Sequence, residues 1–172
     1  MASSVCPGCG IERPSTGKLP EIRHNASAEC WALFGELSAY TLTHGDPKFI
    51  HQHAVDAWQA QHVVASKSNI GIAFSLIGLY LALEKGYTGR QVQLAHMELG
   101  RTKRIWAWFD PPAAYAMTVN DVLQAEPGGD RDAVLMRWAA AVWEAWSHAQ
   151  DWTRQICAQL LKVSVKGKGL GD

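Results

Sequence analysis

The sequence predicts an all-α fold, an up-and-down bundle of about five helices with a zinc-knuckle arm at its N-terminus. Three observations predict it. Apolar residues recur at helical spacing over most of 27–162, Pro and Gly concentrate in residues 1–26, and no period-2 pattern is strong enough to build a sheet. Short connections between the helical stretches favour antiparallel neighbours. At 172 residues the chain is the size of one domain, long enough to bury ~70% of the surface its unfolded form exposes, so a core forms without disulfides.

The arm, residues 1–26, holds Pro7, Pro14 and Pro20 with Gly8, Gly10 and Gly17. That density of breakers excludes a long helix or a central strand, and the segment needs an external staple to be ordered. From 27 to about 42, Cys30, Leu33, Phe34, Leu37 and Thr41 fall at helical spacing. His44, Gly45, Asp46 and Pro47 form a turn, with Asp46 as cap and Pro47 at the first position of a second helix over about 47–65. The stripe of that helix, Ile50, His51, Val55, Trp58 and His62, is part apolar and part imidazole.

Ser66 or Ser68 caps a third helix reaching Lys85, apolar on nearly every side and therefore central, and Gly86 closes it. Thr88 and Gln91 make a capping-box pattern that opens a fourth helix through about Lys103, with Val92, Ala95, His96 and Leu99 inward. Residues 106–117, with Pro111 and Pro112, read as a loop. Thr118 and Asp121 start a short helix through Ala125, and Pro127 to Asp130 separates it from a last helix over 130–161 with Trp138, Val142, Ala145, Ala149 and Trp152 on one face. The Gly- and Lys-rich tail, 163–172, is expected to fray.

Sixteen basic and sixteen acidic residues cancel, so the basic field that nucleic acid requires is missing. The N-terminus has no basic segment followed by an apolar one, and the expectation is a cytoplasmic protein. The longest apolar run, 70–83, is broken by Gly71, Ser75 and Gly78 and is too short for a membrane span. In a reducing compartment the four cysteines are metal ligands or core residues rather than disulfide partners.

Cys6 and Cys9, separated by Pro-Gly and followed by Gly10, form the tight turn that presents two thiolates to one ion. Cys30 lies at a helix start, where the helix dipole favours a thiolate, and is the third ligand. If the first two helices are antiparallel about Gly45, Cys30 lies level with residue 60. His62 is then the nearest fourth ligand, His24 is a local competitor, and His51 and His53 sit at the other end of the hairpin. A thioredoxin-like dithiol at Cys6 and Cys9 is disfavoured because no βαβ setting is visible. Cys157 reads as a buried small hydrophobe.

A second group of titratable residues, His51, His53, Asp56 and His62, crowds the second helix. His51 and His62 share a face but lie about 16 Å apart along the axis and cannot bind one ion. His53 and Asp56, three apart, suit an Asp orienting an imidazole, or both serving as ligands. His148 borders the apolar face of the last helix, with Glu36 and Glu144 as possible carboxylate partners. A catalytic or second metal site, its metal unspecified, is expected among His51, Asp56 and His148, the alternative being that each is a hydrogen-bonded structural group. His44 and His96 read as structural or solvated.

The motifs CPGCG at Cys6 to Gly10, SxxCW ending at Trp31, VDAW with QH ending at His62, LxGLYLALE, and WAxxVWxAWxxH ending at His148 occur in this order. In that order and spacing the chain resembles a bacterial family catalogued as domain of unknown function 5946. The resemblance implies that Cys6, Cys9, Cys30, His51, Asp56, His62 and His148 are signature positions and that the fold binds metal, without naming an activity. Trp58 stands where the family usually has Tyr, Val63 where Pro often follows QH, and Ala149 where a second His often follows. The functions left open are a small-molecule metalloenzyme, a non-catalytic zinc-stapled scaffold binding a protein partner or a second copy of itself, and a thiol redox protein.

Overall fold

The computed structural model describes residues 2–20 and 23–163. In the arm, the breakers do not leave irregular coil. Strands β1 (Ser3–Val5) and β2 (Glu12–Pro14) pair antiparallel, with Ser4 opposite Arg13. Cys6 N–H donates to Ile11 O and Gly10 N–H to Cys6 O, closing the turn between them, with Gly10 at φ +79°. This hairpin corrects the expectation that no sheet forms. Three-residue strands show no period-2 signal, and Pro14 is tolerated because it closes an edge strand.

Among the described residues seven α-helices follow: the five substantial helices and the short one that the sequence outlines, with the last of them divided in two. Helix α1 (Ala28–Thr43) starts where Ser27 Oγ accepts the Cys30 N–H, an N-cap bond of the ordinary kind. Helix α2 (His51–Gln61) starts four residues later than expected. Asp46 caps the preceding turn rather than the helix, accepting the Lys48 and Ile50 N–H groups at 2.8 and 2.9 Å, while Phe49 takes φ +60°, 47–50 stay a turn, and Ile50 at the N-cap has no side-chain cap bond. Helix α3 (Ile70–Lys85) is entered through a reciprocal pair, Ser66 N–H to Asn69 Oδ1 and Asn69 N–H to Ser66 Oγ, and leaves through Gly86 in the left-handed region.

Helix α4 (Gly89–Gly100) carries the expected capping box of Thr88 and Gln91, and α5 (Val119–Gln124) that of Thr118 and Asp121. Residues 101–118 form neither helix nor strand. The long last helix of the sequence reading is two. Helix α6 (Gly129–Ala145) ends at Trp146, a 3-10 turn spans Ser147–Ala149, and α7 (Gln150–Leu161) resumes. No Gly or Pro causes the break. Trp146 is pinned from outside by its indole N–H to Ala60 O, and the Gln150 amide donates to Trp143 O, which the break exposes.

Helix α2 is the hub, packed against α1, α3, α4 and α6, while α3 also meets α6 and α7. The core between them includes Leu37, Trp58, Leu76, Ile77, Tyr80, Leu135, Trp138 and Trp146, each at most 1% exposed. Arg154 of α7 pairs with Glu84 of α3 at 2.7 Å and fastens the last helix. Among the described residues no helix is long and apolar enough to cross a membrane. Beyond Val163 the tail expected to fray lies outside the described residues.

Candidate metal centre

The C-terminal end of α2 is built to hold an imidazole still. A helix leaves its last carbonyls without partners, and here side chains take them. Trp146 Nε1 and Tyr115 OH both donate to Ala60 O, and His62 Nδ1 donates to Trp58 O at 2.6 Å. That last bond places the proton on Nδ1 and leaves the Nε2 lone pair for a ligand bond, the arrangement by which a carbonyl orients a metal-binding histidine. The His62 ring also stacks on Trp58, 4.1 Å between centroids, and Trp58 in turn stacks on Phe34.

Toward Nε2 come three sulfurs from two other elements. Cys6 and Cys9 flank the hairpin turn and Cys30 sits in the first turn of α1. Cys6 Sγ lies 3.4 Å and Cys30 Sγ 3.3 Å from His62 Nε2, and Cys9 Sγ is 3.7 Å from Cys30 Sγ. All four ligand atoms fall within 4.8 Å of one another, and no residue of the four is more than 6% exposed.

These separations discriminate between chemistries. Four ligands at tetrahedral angles, with ~2.3 Å from metal to sulfur and ~2.0 Å to nitrogen, stand about 3.8 Å apart sulfur to sulfur and about 3.5 Å sulfur to nitrogen. A disulfide would bring two sulfurs to about 2.05 Å, and the cysteines are free thiols. The cluster matches the first geometry. It can hold a metal ion.

Close packing supports the same conclusion. A Cβ on Gly8 would lie 2.5 Å from His62 Cδ2 and 2.6 Å from Gln61 O, so only glycine lets the knuckle seat on the end of α2. Asn25 N–H donates to His62 O, and Glu29 accepts both Thr16 N–H and Thr16 Oγ–H, at 2.7 and 2.8 Å. Those Thr16 bonds hold the Glu29 carboxyl down to about 2. Within the cluster, hydrogen bonds from the Cys30 and Cys9 thiols push Cys6 far below the ordinary thiol value, while the bond to Cys6 pushes Cys30 upward. A cation held there would draw the remaining protons from the thiols.

A family model covers residues 4–147, well over half of the chain. The chain belongs to DUF5946, a family of unknown function. No curated protein and no solved structure matches it.

In this DUF5946 chain the other candidate residues have separate hydrogen-bond partners. His51 Nδ1 meets Thr41 Oγ1 of α1 at 2.8 Å, whereas Asp56 is directed at α3, its Oδ1 accepting the Gln52 amide and its Oδ2 lying against Gly78. His148 is exposed in the 3-10 turn, with Nε2 on Asp110 O at 3.0 Å. Among the described residues, Cys6, Cys9, Cys30 and His62 form the one group of three or more His, Cys, Asp or Glu whose ligand atoms converge. Asp56 does not orient His53, because neither His53 Nδ1 nor Asp56 Oδ2 has a hydrogen-bond partner. Glu36 and Glu144 are exposed. His24, the competing fourth ligand, instead stacks on Trp31. His44 pairs with Asp132 at 3.5 Å, and half-buried His96 bonds Phe74 O, its pKa pushed down to about 4 by desolvation of the ring.

The sequence reading did not assign Ser27 or the Trp58 carbonyl to this centre. Two weak signals existed. Ser27 precedes Cys30 by the three residues of an N-cap bond, and Trp58 precedes His62 by the four of a helical turn.

Proposed function

We propose that this DUF5946 chain is a zinc-stapled, non-catalytic module in which Cys6, Cys9, Cys30 and His62 bind a structural zinc ion that fastens the hairpin arm to the helical bundle. The observation that carries this reading is the closure of the site. Three sulfurs and one imidazole supply four ligand atoms from buried residues, the full number of a structural zinc site, whereas catalytic zinc takes three protein ligands and keeps one position open. The donor set also favours zinc, since soft thiolates with one imidazole at tetrahedral spacing suit it and disfavour magnesium or calcium. The separate hydrogen-bond partners of His51, Asp56 and His148, which form no convergent group of ligand atoms, support a non-catalytic role.

Elemental analysis of the purified protein tests this. We expect one zinc per chain, lost in Cys9→Ser and His62→Ala and retained in His51→Ala and His148→Ala. A wild-type protein that purifies without metal, or a second metal that disappears with His148→Ala, would overturn the reading.

A further inference from the structure

At the end of the bundle away from the metal centre, a cleft of about 320 Å³ opens between the start of α2, the end of α3, the start of α4 and the middle of α6. That volume is at the small end of the range for ligand pockets. Its walls are apolar, from Ile50, Ala82, Met136 and the Tyr87 ring, and Lys48 stands at the rim. His53 also lines it.

His53 makes the cleft more than a surface depression. Its side chain is only 7% exposed, and Nδ1 has no hydrogen-bond partner among the described residues. A buried polar group left unpaired costs about 1–3 kcal/mol, so an occupant that pairs with it recovers that cost. Burial holds the imidazole below its ordinary pKa and therefore neutral, able to accept a proton bond at one nitrogen and donate one at the other. A half-turn of the ring about χ2 decides which edge faces the cleft. Asp46 borders the same space, but both its oxygens already accept the Lys48 and Ile50 N–H groups. The Thr88 hydroxyl accepts the Gln91 N–H, a bond that leaves its own O–H as a donor. Lys48 is exposed and lines the same cleft; its ammonium also acts on the Asp46 carboxylate and is the cationic group at hand to meet a ligand charge.

We propose that this cleft binds a small organic acid with a compact apolar body, its carboxylate at Lys48, its hydrocarbon between Ile50, Ala82 and Met136, and a hydroxyl or N–H on the His53 imidazole. The site is separate from the cysteine cluster, and its occupancy does not depend on the metal reading.

Three probes of the same size resolve the parts. 4-Hydroxyphenylacetate has both polar ends, phenylacetate lacks the hydroxyl, and tyramine replaces the carboxylate with an ammonium. On the full chain, with Ile and Met methyl and His ring signals followed by NMR, 4-hydroxyphenylacetate at about 1 mM should shift Ile50, Met136 and His53 together. Phenylacetate should bind roughly fivefold more weakly for want of one hydrogen bond, and tyramine should bind least. Lys48→Glu lies on the surface and spares the fold, and it should weaken 4-hydroxyphenylacetate by about tenfold by setting like charges against each other. Absence of shifts with all three probes would overturn the proposal. So would equal affinity for the three, or affinity indifferent to Lys48→Glu.

Discussion

Asp56 sits between α2 and α3 with one oxygen on the Gln52 amide and the other without a partner. Burial pushes its carboxyl well above the usual carboxylate range, the Gln52 bond offsetting this only in part. The acid binds its proton more tightly folded than unfolded. Its contribution is therefore fully present below pH ~4 and is lost as pH rises toward the native-state pKa, by up to about 1.4 kcal/mol per unit. Asp56→Asn keeps the shape and cannot ionise. We expect the variant to melt above the wild type at neutral pH and its advantage to shrink on acidification, as measured by thermal unfolding between pH ~5.5 and ~8. An advantage constant with pH would mean an ionised native carboxylate. At this scale the sequence was legible where chemistry is local, since the Cys6 and Cys9 spacing and the helix-start position of Cys30 each carry their own reason. His62 was legible because antiparallel helices convert sequence offset into height. His148 was not, because its direction depends on a helix break that its own neighbours do not encode.

Helices α2 and α3 approach at Gly78, where a Cβ would collide with the Asp56 carboxyl. The contact is therefore set by two residues at once, a small one on α3 and a short acid on α2. Gly78→Ala should destabilise the protein by about 1–3 kcal/mol through overpacking, seen as a lowered melting temperature. In an Asp56→Ala background most of that cost should vanish, since the colliding group is gone. Additive losses would place the strain elsewhere. The same dependence on partners explains which elements could be foreseen. Capping boxes at Thr88 and Thr118 and the Gly86 stop lie within a few residues and were readable. The break at Trp146 depends on the distant Ala60 carbonyl, and the late start of α2 on Phe49 adopting φ +60°, for which no local residue pattern exists. The two short strands owe their pairing to the knuckle turn they flank rather than to apolar alternation.

For the molecule as a whole, the arm and the bundle differ in what holds them. The bundle has a continuous core from Leu37 to Trp146 that includes no arm residue beyond the cysteines, Ala26 and a packed Ile11. Among the described residues the arm's anchors include the Glu29 bonds to Thr16, the Asn25 bond to His62 O, one Arg13 bond to Asn120, the His24 ring on Trp31 and Trp58, and the cysteine cluster itself. If a metal joins the cluster, its binding free energy is spent on that attachment, because the separated ligands bind far more weakly. A chelator should then release the arm and leave the helices standing. Hydrogen exchange would show protection lost over residues 3–14 and at the Cys30 amide, limited proteolysis would cut between residues 15 and 20, and the far-ultraviolet helical signal would fall little. Restored zinc should reverse all three. Loss of helicity in step with arm release would mean that the four ligands hold the end of α2 and the bundle core together, and that the staple is part of the foundation rather than a fastening on it.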